Sequence, residues 1–357
     1  MAAKYVNGHT IAAHQTRVLY LDGWRGMAIL SVLAGHFIHL SAINVGRFGV
    51  ELFFVLSGRL MAHILFIHKA ALAEFYARRF SRVWPGLAVF ATITTAIVMV
   101  ASDSKLVVLN WVGALTFTSN YISAAGFRLP WIEHVWSLCV EEHLYILLGL
   151  LAFASRRLSL SATQILSLLC AIMVAMMGLG AVLSAQGHDY FQVYWRSDVR
   201  GASILAGAAA YLLVHGLDER GVRTPAWLPI ALGLAGVALQ VNPVPDPIKY
   251  SLGTMLVAGS LATLHWAPKF ALDILSMRAL TFFGLVSFSI YLWQQPFYML
   301  AALHGAQVGG KFAYPLMLAV AIGAGLVSYY LVEDPIRRRL NSLIRRRKPE
   351  PVIAVGD

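Results

Sequence analysis

Arg25 and His36 stand eleven residues apart in the first apolar stretch of the chain. Eleven residues make almost three helical turns, so the two side chains share a face about 16 Å apart along the axis. The arginine lies near one end of that helix and the imidazole well inside the hydrocarbon. A permanent cation at the rim and a titratable base in the interior suit an elongated substrate with an anionic tail and a reactive tip. An ionisable group at that depth is costly and is functional by default. The competing reading is a histidine hydrogen-bonded between helices.

More polar groups interrupt the apolar pattern downstream. Glu51 follows Arg47 by four residues, which lets the two pair on one helical face. Arg59 lies deeper in the same stretch and should face the interior or a wet cavity, because lipid would penalise it. Arg78 and Arg82 are also four apart and share a face, with Arg79 between them. Guanidinium groups fit phosphate oxygens, and arginines beside Trp84 also serve as topology charges at a membrane interface. Glu141 and Glu142 open an otherwise apolar helix and point about 100° apart, so at least one should face a site rather than lipid. Trp136, His143 and Tyr145 lie close by in sequence. Arg200, beside Asp198, enters another apolar stretch. Tyr291, Gln294, Gln295 and Pro296 interrupt a later one, where the amides could answer the carbonyl freed by proline or line a cavity. Glu333 and Asp334 are expected to pair with neighbouring arginines in a structural role.

Composition sets the surroundings for these groups. Hydrophobic residues make up 59% of the chain and charged residues 13%, far from the balance of soluble domains. Apolar runs of spanning length recur near 26–42, 48–66, 84–101, 106–122, 135–154, 162–184, 197–214, 226–241, 249–265, 280–302 and 313–332. The run at 106–122 is the weakest and could be re-entrant or interfacial. The expected fold is all-α: a polytopic integral membrane protein of about ten transmembrane helices plus that segment. Lys and Arg then gather on the side of the termini, which places both termini in the cytoplasm and accounts for the net charge of +11. Residues 1–20 read as a cytoplasmic segment, 21–336 as the membrane domain and 337–357 as a basic cytoplasmic tail. The tail suits the anionic head groups of membrane lipids. No aromatic or folded reader accompanies it, which argues against nucleic acid as a partner. Cys139 and Cys170 fall in apolar stretches and suggest neither a disulfide framework nor a metal site.

Five groups of residues, in order, carry a family resemblance. They are Arg25 with His36, Gly49-Val50-Glu51-Leu52-Phe53-Phe54-Val55-Leu56-Ser57-Gly58, Tyr76-Ala77-Arg78-Arg79-Phe80-Ser81-Arg82-Val83-Trp84-Pro85, Trp136-Ser137-Leu138-Cys139-Val140-Glu141-Glu142 and Tyr291-Leu292-Trp293. Over roughly residues 17–340 the chain resembles the acyltransferase 3 family. Its members are multi-spanning enzymes that O-acylate sugars of bacterial surface or secreted polysaccharides, nodulation factors and some small molecules. Three positions depart from the family pattern. Arg59 stands where a large apolar residue is usual, and Glu51 where aspartate is frequent. Gln294 stands where histidine is frequent, so that position supplies no base. Many members also carry a fused extracytoplasmic esterase-like domain, which this sequence lacks, so a second acyl-handling step is expected to need a separate protein.

The resemblance implies an O-acyltransferase of the bacterial inner membrane. It is expected to move an acetyl group from acetyl-CoA to a hydroxyl of an exopolysaccharide or lipid-linked oligosaccharide. His36 is the expected general base, with Glu142, or Glu141, orienting it or binding the acceptor. Arg25, Arg78, Arg79 and Arg82 are expected to hold the coenzyme's phosphates. Glu51, Arg59, Trp136, Tyr145, Arg200, Tyr291 and Gln295 complete the expected substrate-binding set, and no metal is expected. In a covalent variant His36 would itself carry the acyl group. The alternative class is a transporter of a sugar or lipid-linked substrate, using the same buried charges as its pathway.

Overall fold

A computed structural model describes residues 18–38, 42–100 and 102–346. Three long helices come first: α1 (Leu19–Phe37), α2 (Val45–Ile67) and α3 (Leu72–Val98). Two short ones follow, α4 (Ser104–Leu115) and α5 (Ser119–Ala124). The chain continues through α6 (Glu133–Arg157), α7 (Ala162–Ala185), the single-turn α8 (Tyr190–Tyr194) and α9 (Ser197–Glu219). It ends with α10 (Leu228–Ala238), α11 (246–263), α12 (Lys269–Leu275), α13 (Arg278–Val308) and α14 (310–346). Among the described residues the only sheet-like feature is an isolated bridge between Ile43 and Val241.

Local chemistry accounts for several helix starts. Ser161 and Gln164 form a reciprocal capping box at α7, satisfying two backbone donors that the first turn leaves open. Asn44 caps α2 by accepting from the Arg47 amide at 3.0 Å.

Six of the described helices are long and apolar enough to cross a membrane, and α12 with α13, bent by 49°, would form a seventh as one broken span. The chain is a multi-pass membrane protein. The remaining expected stretches take other forms. The first is polar for a span because Asp22, Arg25 and His36 sit in α1. The stretch at 106–122 divides into α4 and α5. The stretch at 226–241 yields the 11-residue α10. In α11, residues Lys249–Gly253 wind as a π turn.

Two helices run well past their expected ends. α3 begins at Leu72 rather than near 84, so Arg78, Arg79 and Arg82 are helical and Pro85 lies inside the helix. The last helix continues through a π turn, Tyr329–Glu333, into a further α-helical segment, Asp334–Arg346. There Asp334 pairs with Arg337 at 2.5 Å and with Arg338 at 2.6 Å. Ser81 of α3 donates to Asn341 of this extension at 3.1 Å. Residues 1–17 and 347–357, with most of the expected cytoplasmic start and the distal basic tail, lie outside the described residues.

Packing brings the polar stretches together. α1 lies between α2 and α13, and α2 also lies along α9. Glycine permits the second contact: a methyl at Gly58 would overlap the Ile204 carbonyl, and one at Gly207 the Val55 carbonyl. Close backbone approach through small residues is the usual way that membrane helices gain packing energy.

Candidate active site

A cavity of about 260 Å³ opens between α1, α2, α3, α6 and α13. Arg25, Arg79 and Arg82 line it with Ser57, Glu141, Tyr145 and Tyr291. Each helix contributes through its face rather than its tip, so the site is built on the rigid bundle.

Arg79 is the hub of the cavity. Its Nη2 donates to Glu141 and its Nε to Glu142, each at 2.8 Å. Its guanidinium also lies 4.0 Å over the Tyr145 ring. Glu141 accepts further bonds from Ser57 at 3.1 Å and from the Tyr145 hydroxyl at 2.8 Å. Glu141 therefore lines the cavity while accepting from Arg79, Ser57 and Tyr145 in a connected network. Glu142 is held at its edge through Arg79. Hydrogen-bonded charge pairs of this kind offset the cost of removing ions from water. Arg25 is tied to Asp22 at 3.1 Å, one turn back on α1. Arg82 makes no ion pair among the described residues, leaving its charge available to an anionic substrate group.

His36 sits at the other end of α1, outside the cavity lining. Its Nδ1 lies 2.5 Å from Gln294 Oε1, and its ring stacks on Tyr298 with centroids 4.6 Å apart. A chain of amides fixes the direction of that bond. Gln295 Nε2 donates to the Pro130 carbonyl at 2.9 Å, which leaves Gln295 Oε1 as acceptor for Gln294 Nε2 at 3.5 Å. Gln294 Oε1 then faces His36, so Nδ1 is the donor in that bond. Gln294 is one turn beyond Tyr291, whose hydroxyl contacts Ser137 at 2.6 Å and donates to the His134 carbonyl at 3.0 Å. The Tyr291–Ser137 pair thus lines the arginine-bearing cavity one helical turn from the amide that bonds His36.

Several expected partners change. Glu142 pairs with Arg79, while His36 takes Gln294, so the orienting group of the imidazole is an amide. Gln294, set aside in the sequence as unable to supply a base, is the residue that bonds the His36 ring. The amides do not answer the carbonyl freed by Pro296; α13 runs through that proline without a break. Arg78 turns away from the cavity and pairs with Glu74 at 2.6 Å on the surface. The inward arginines of α3 are Arg79 and Arg82, three residues apart, rather than Arg78 and Arg82.

Glu51 does not pair with Arg47. Its carboxylate binds Arg200 of α9 and accepts from Thr254 of α11, and both charged residues are fully buried. Arg47 instead lies 4.1 Å over the Tyr190 ring. Arg59 stands apart from both sites, 5.1 Å over the Tyr211 ring, with Nε buried and unbonded. Trp136 is buried between Phe54 and Tyr194 and forms a wall rather than a cavity lining. The sequence offered no reason to single out Tyr298, and it marked Ser57 and Ser137 only as members of the motifs. Their types are common in apolar helices, and only the fold brings them to the charged groups.

The Acyltransferase domain model of the acyltransferase 3 family matches residues 18–333. The chain belongs to this family. Among curated relatives, the acyltransferase 3 match is accompanied by similarity to YrhL of Bacillus subtilis, a putative peptidoglycan O-acetyltransferase, with 27% identity covering 91% of this chain and 55% of that protein. The O-acetyltransferase OatA of Staphylococcus aureus is 25% identical over 89% of this chain and 57% of its own length. The peptidoglycan O-acetyltransferase OatA of Listeria monocytogenes is 28% identical over 89% and 55%. The chain thus spans just over half the length of these relatives. No solved structure matches it.

Proposed function

We propose that this chain is a membrane O-acetyltransferase, moving an acetyl group from acetyl-CoA to a hydroxyl of a cell-envelope glycan. The names of the relatives favour peptidoglycan over an exopolysaccharide or a lipid-linked oligosaccharide as that glycan. The main support is geometric: one helix carries a cavity-lining arginine near one end and an amide-oriented imidazole at the other. Their separation of about 16 Å along the axis is comparable with an extended pantetheine arm.

Arg25, Arg79 and Arg82 would meet the donor's phosphates, since planar guanidinium groups match phosphate oxygens. The thioester would extend past Tyr291 toward His36. Nε2 removes the acceptor hydroxyl's proton as that oxygen forms the new ester C–O bond. The C–S bond breaks, and the departing thiolate takes the proton back from the imidazolium. The gathering of Lys and Arg on the side of the termini supports cytoplasmic termini in the bacterial cytoplasmic membrane. The arginine end then faces the donor pool and the His36 end faces the envelope.

Proteoliposomes loaded with radiolabelled acetyl-CoA and given peptidoglycan glycan outside test the reading. His36→Ala should lower label transfer by about 10²–10⁴-fold, the usual worth of a positioned base, while the protein stays folded. Transfer near the wild-type rate in that variant would remove His36 from the chemistry.

A further inference from the structure

A second cavity, of about 230 Å³, lies between α7, α8, α9 and α11. Its walls include Tyr190, Tyr194, Tyr250, Arg200, Asp246 and His188. The three tyrosines form a compact cage. Tyr190 and Tyr194 stack with centroids 5.1 Å apart, Tyr194 lies 5.4 Å from Tyr250, and the Tyr190 and Tyr250 hydroxyls are 3.2 Å apart. Arg200 lies 3.9 Å over the Tyr250 ring.

Two buried polar atoms of this cage lack a partner among the described residues: the Tyr194 hydroxyl and Arg200 Nε. Such atoms cost free energy unless something bonds them. The site does not suit a simple anion. Glu51 already neutralises Arg200, and Asp246 contributes a carboxylate of its own. It does suit a neutral ring with an apolar face and polar edges. Aromatic faces cover the C–H side of a pyranose, and the unbonded hydroxyl, Nε–H and Asp246 can meet its hydroxyls.

The cage lies toward the His36 end of α1. Gly35, the neighbour of His36, packs on Gly46, and the next residue, Arg47, lies over Tyr190. We infer that this cavity is an acceptor subsite, holding a sugar ring of the glycan chain while a neighbouring ring presents its hydroxyl to His36. The inference rests on the glycan O-acetylation reading and adds where the acceptor is gripped.

The test uses the full chain in nanodiscs and a peptide-free tetrasaccharide of alternating N-acetylglucosamine and N-acetylmuramic acid. On wild-type protein the tetrasaccharide should reduce hydroxyl-radical oxidation of Tyr190 and Tyr250 at least threefold. Tyr250→Ala should weaken tetrasaccharide binding at least tenfold, and Tyr250→Phe, which keeps the ring, should hold it within threefold of wild type. Unchanged oxidation of both tyrosines in the wild-type protein overturns the subsite, as does a folded Tyr250→Ala protein that binds within twofold of wild type. The wild-type footprint decides the matter if the alanine variant does not fold. Acetyl transfer to the same tetrasaccharide separates the two ideas. Transfer without protection removes the subsite and leaves the enzymatic reading. Protection without transfer removes the reading and leaves a glycan site.

Discussion

Two carboxylate–arginine clusters lie within this apolar bundle, and they differ in what surrounds them. In the first, Arg79, Glu141 and Glu142 keep 13–16% of their side-chain surface and border a cavity. In the second, Glu51 and Arg200 keep 0% and 2%, with Thr254 closing the carboxylate. Residue type is the same in both. The first leaves room for a substrate beside its charges. The second joins α2, α9 and α11 through a closed ion pair, and only the flank of Arg200 reaches a cavity. A buried pair is a poor source of net stability, but removing one member leaves an uncompensated charge at high cost. The open cluster is suited to chemistry and the closed one to holding helices in place.

The sharpest way to break this contrast is Glu51→Ala. It should destabilise the folded protein by about 3–5 kcal/mol, because Arg200 is left buried without its carboxylate. Thermal unfolding in detergent measures this. Pairing Glu51→Leu with Arg200→Met should recover most of the loss, since matched apolar replacement of a buried pair is often neutral. A Glu51→Ala protein as stable as wild type would show that water reaches the closed cluster.

At the open cluster the effect should appear in rate rather than stability. Glu141→Gln removes the charge from the oxygens bonded by Arg79, Tyr145 and Ser57, and should lower kcat by about tenfold or more. Glu142→Gln, at the cavity's edge, should be milder. That order reverses the preference for Glu142 drawn from sequence position, and a larger loss at Glu142 would restore it. The smallest contrast is within α3. Arg82→Ala should raise KM for the acyl donor several-fold with little change in kcat, as loss of ground-state binding does. Arg78→Ala, on an exposed pair worth at most about 1 kcal/mol, should leave both constants within twofold.

Much of the site was legible because ionised residues are rare in apolar helices. Arg25, His36, the arginines of α3 and the Glu141–Glu142 pair stood out on that ground alone, as did the helical, multi-pass class. What sequence spacing could not supply was helix phase. Periodicity says that Arg78 and Arg82 share a face, but only the meeting of Arg79 with Glu141 and Glu142 of α6 shows that Arg79 and Arg82 are the inward pair. Long-range partners were equally hidden. Arg47 is four residues from Glu51, whereas Arg200 is 149 residues away and wins because α2 and α9 meet through glycine. Gln294 was judged by whether it could be a base, when its amide oxygen suits it to orient one.

The helical extension beyond the π turn at Tyr329–Glu333 acts on the depth of the whole bundle. The 13 residues Asp334–Arg346 add about 20 Å of helix to a span that already crosses the hydrocarbon. Its arginines prefer the head-group layer, and the Ser81–Asn341 bond couples that preference to α3. The extension thereby works as a waterline. It ties the level at which Arg79 and Arg82 ride to that of the extension's own arginines.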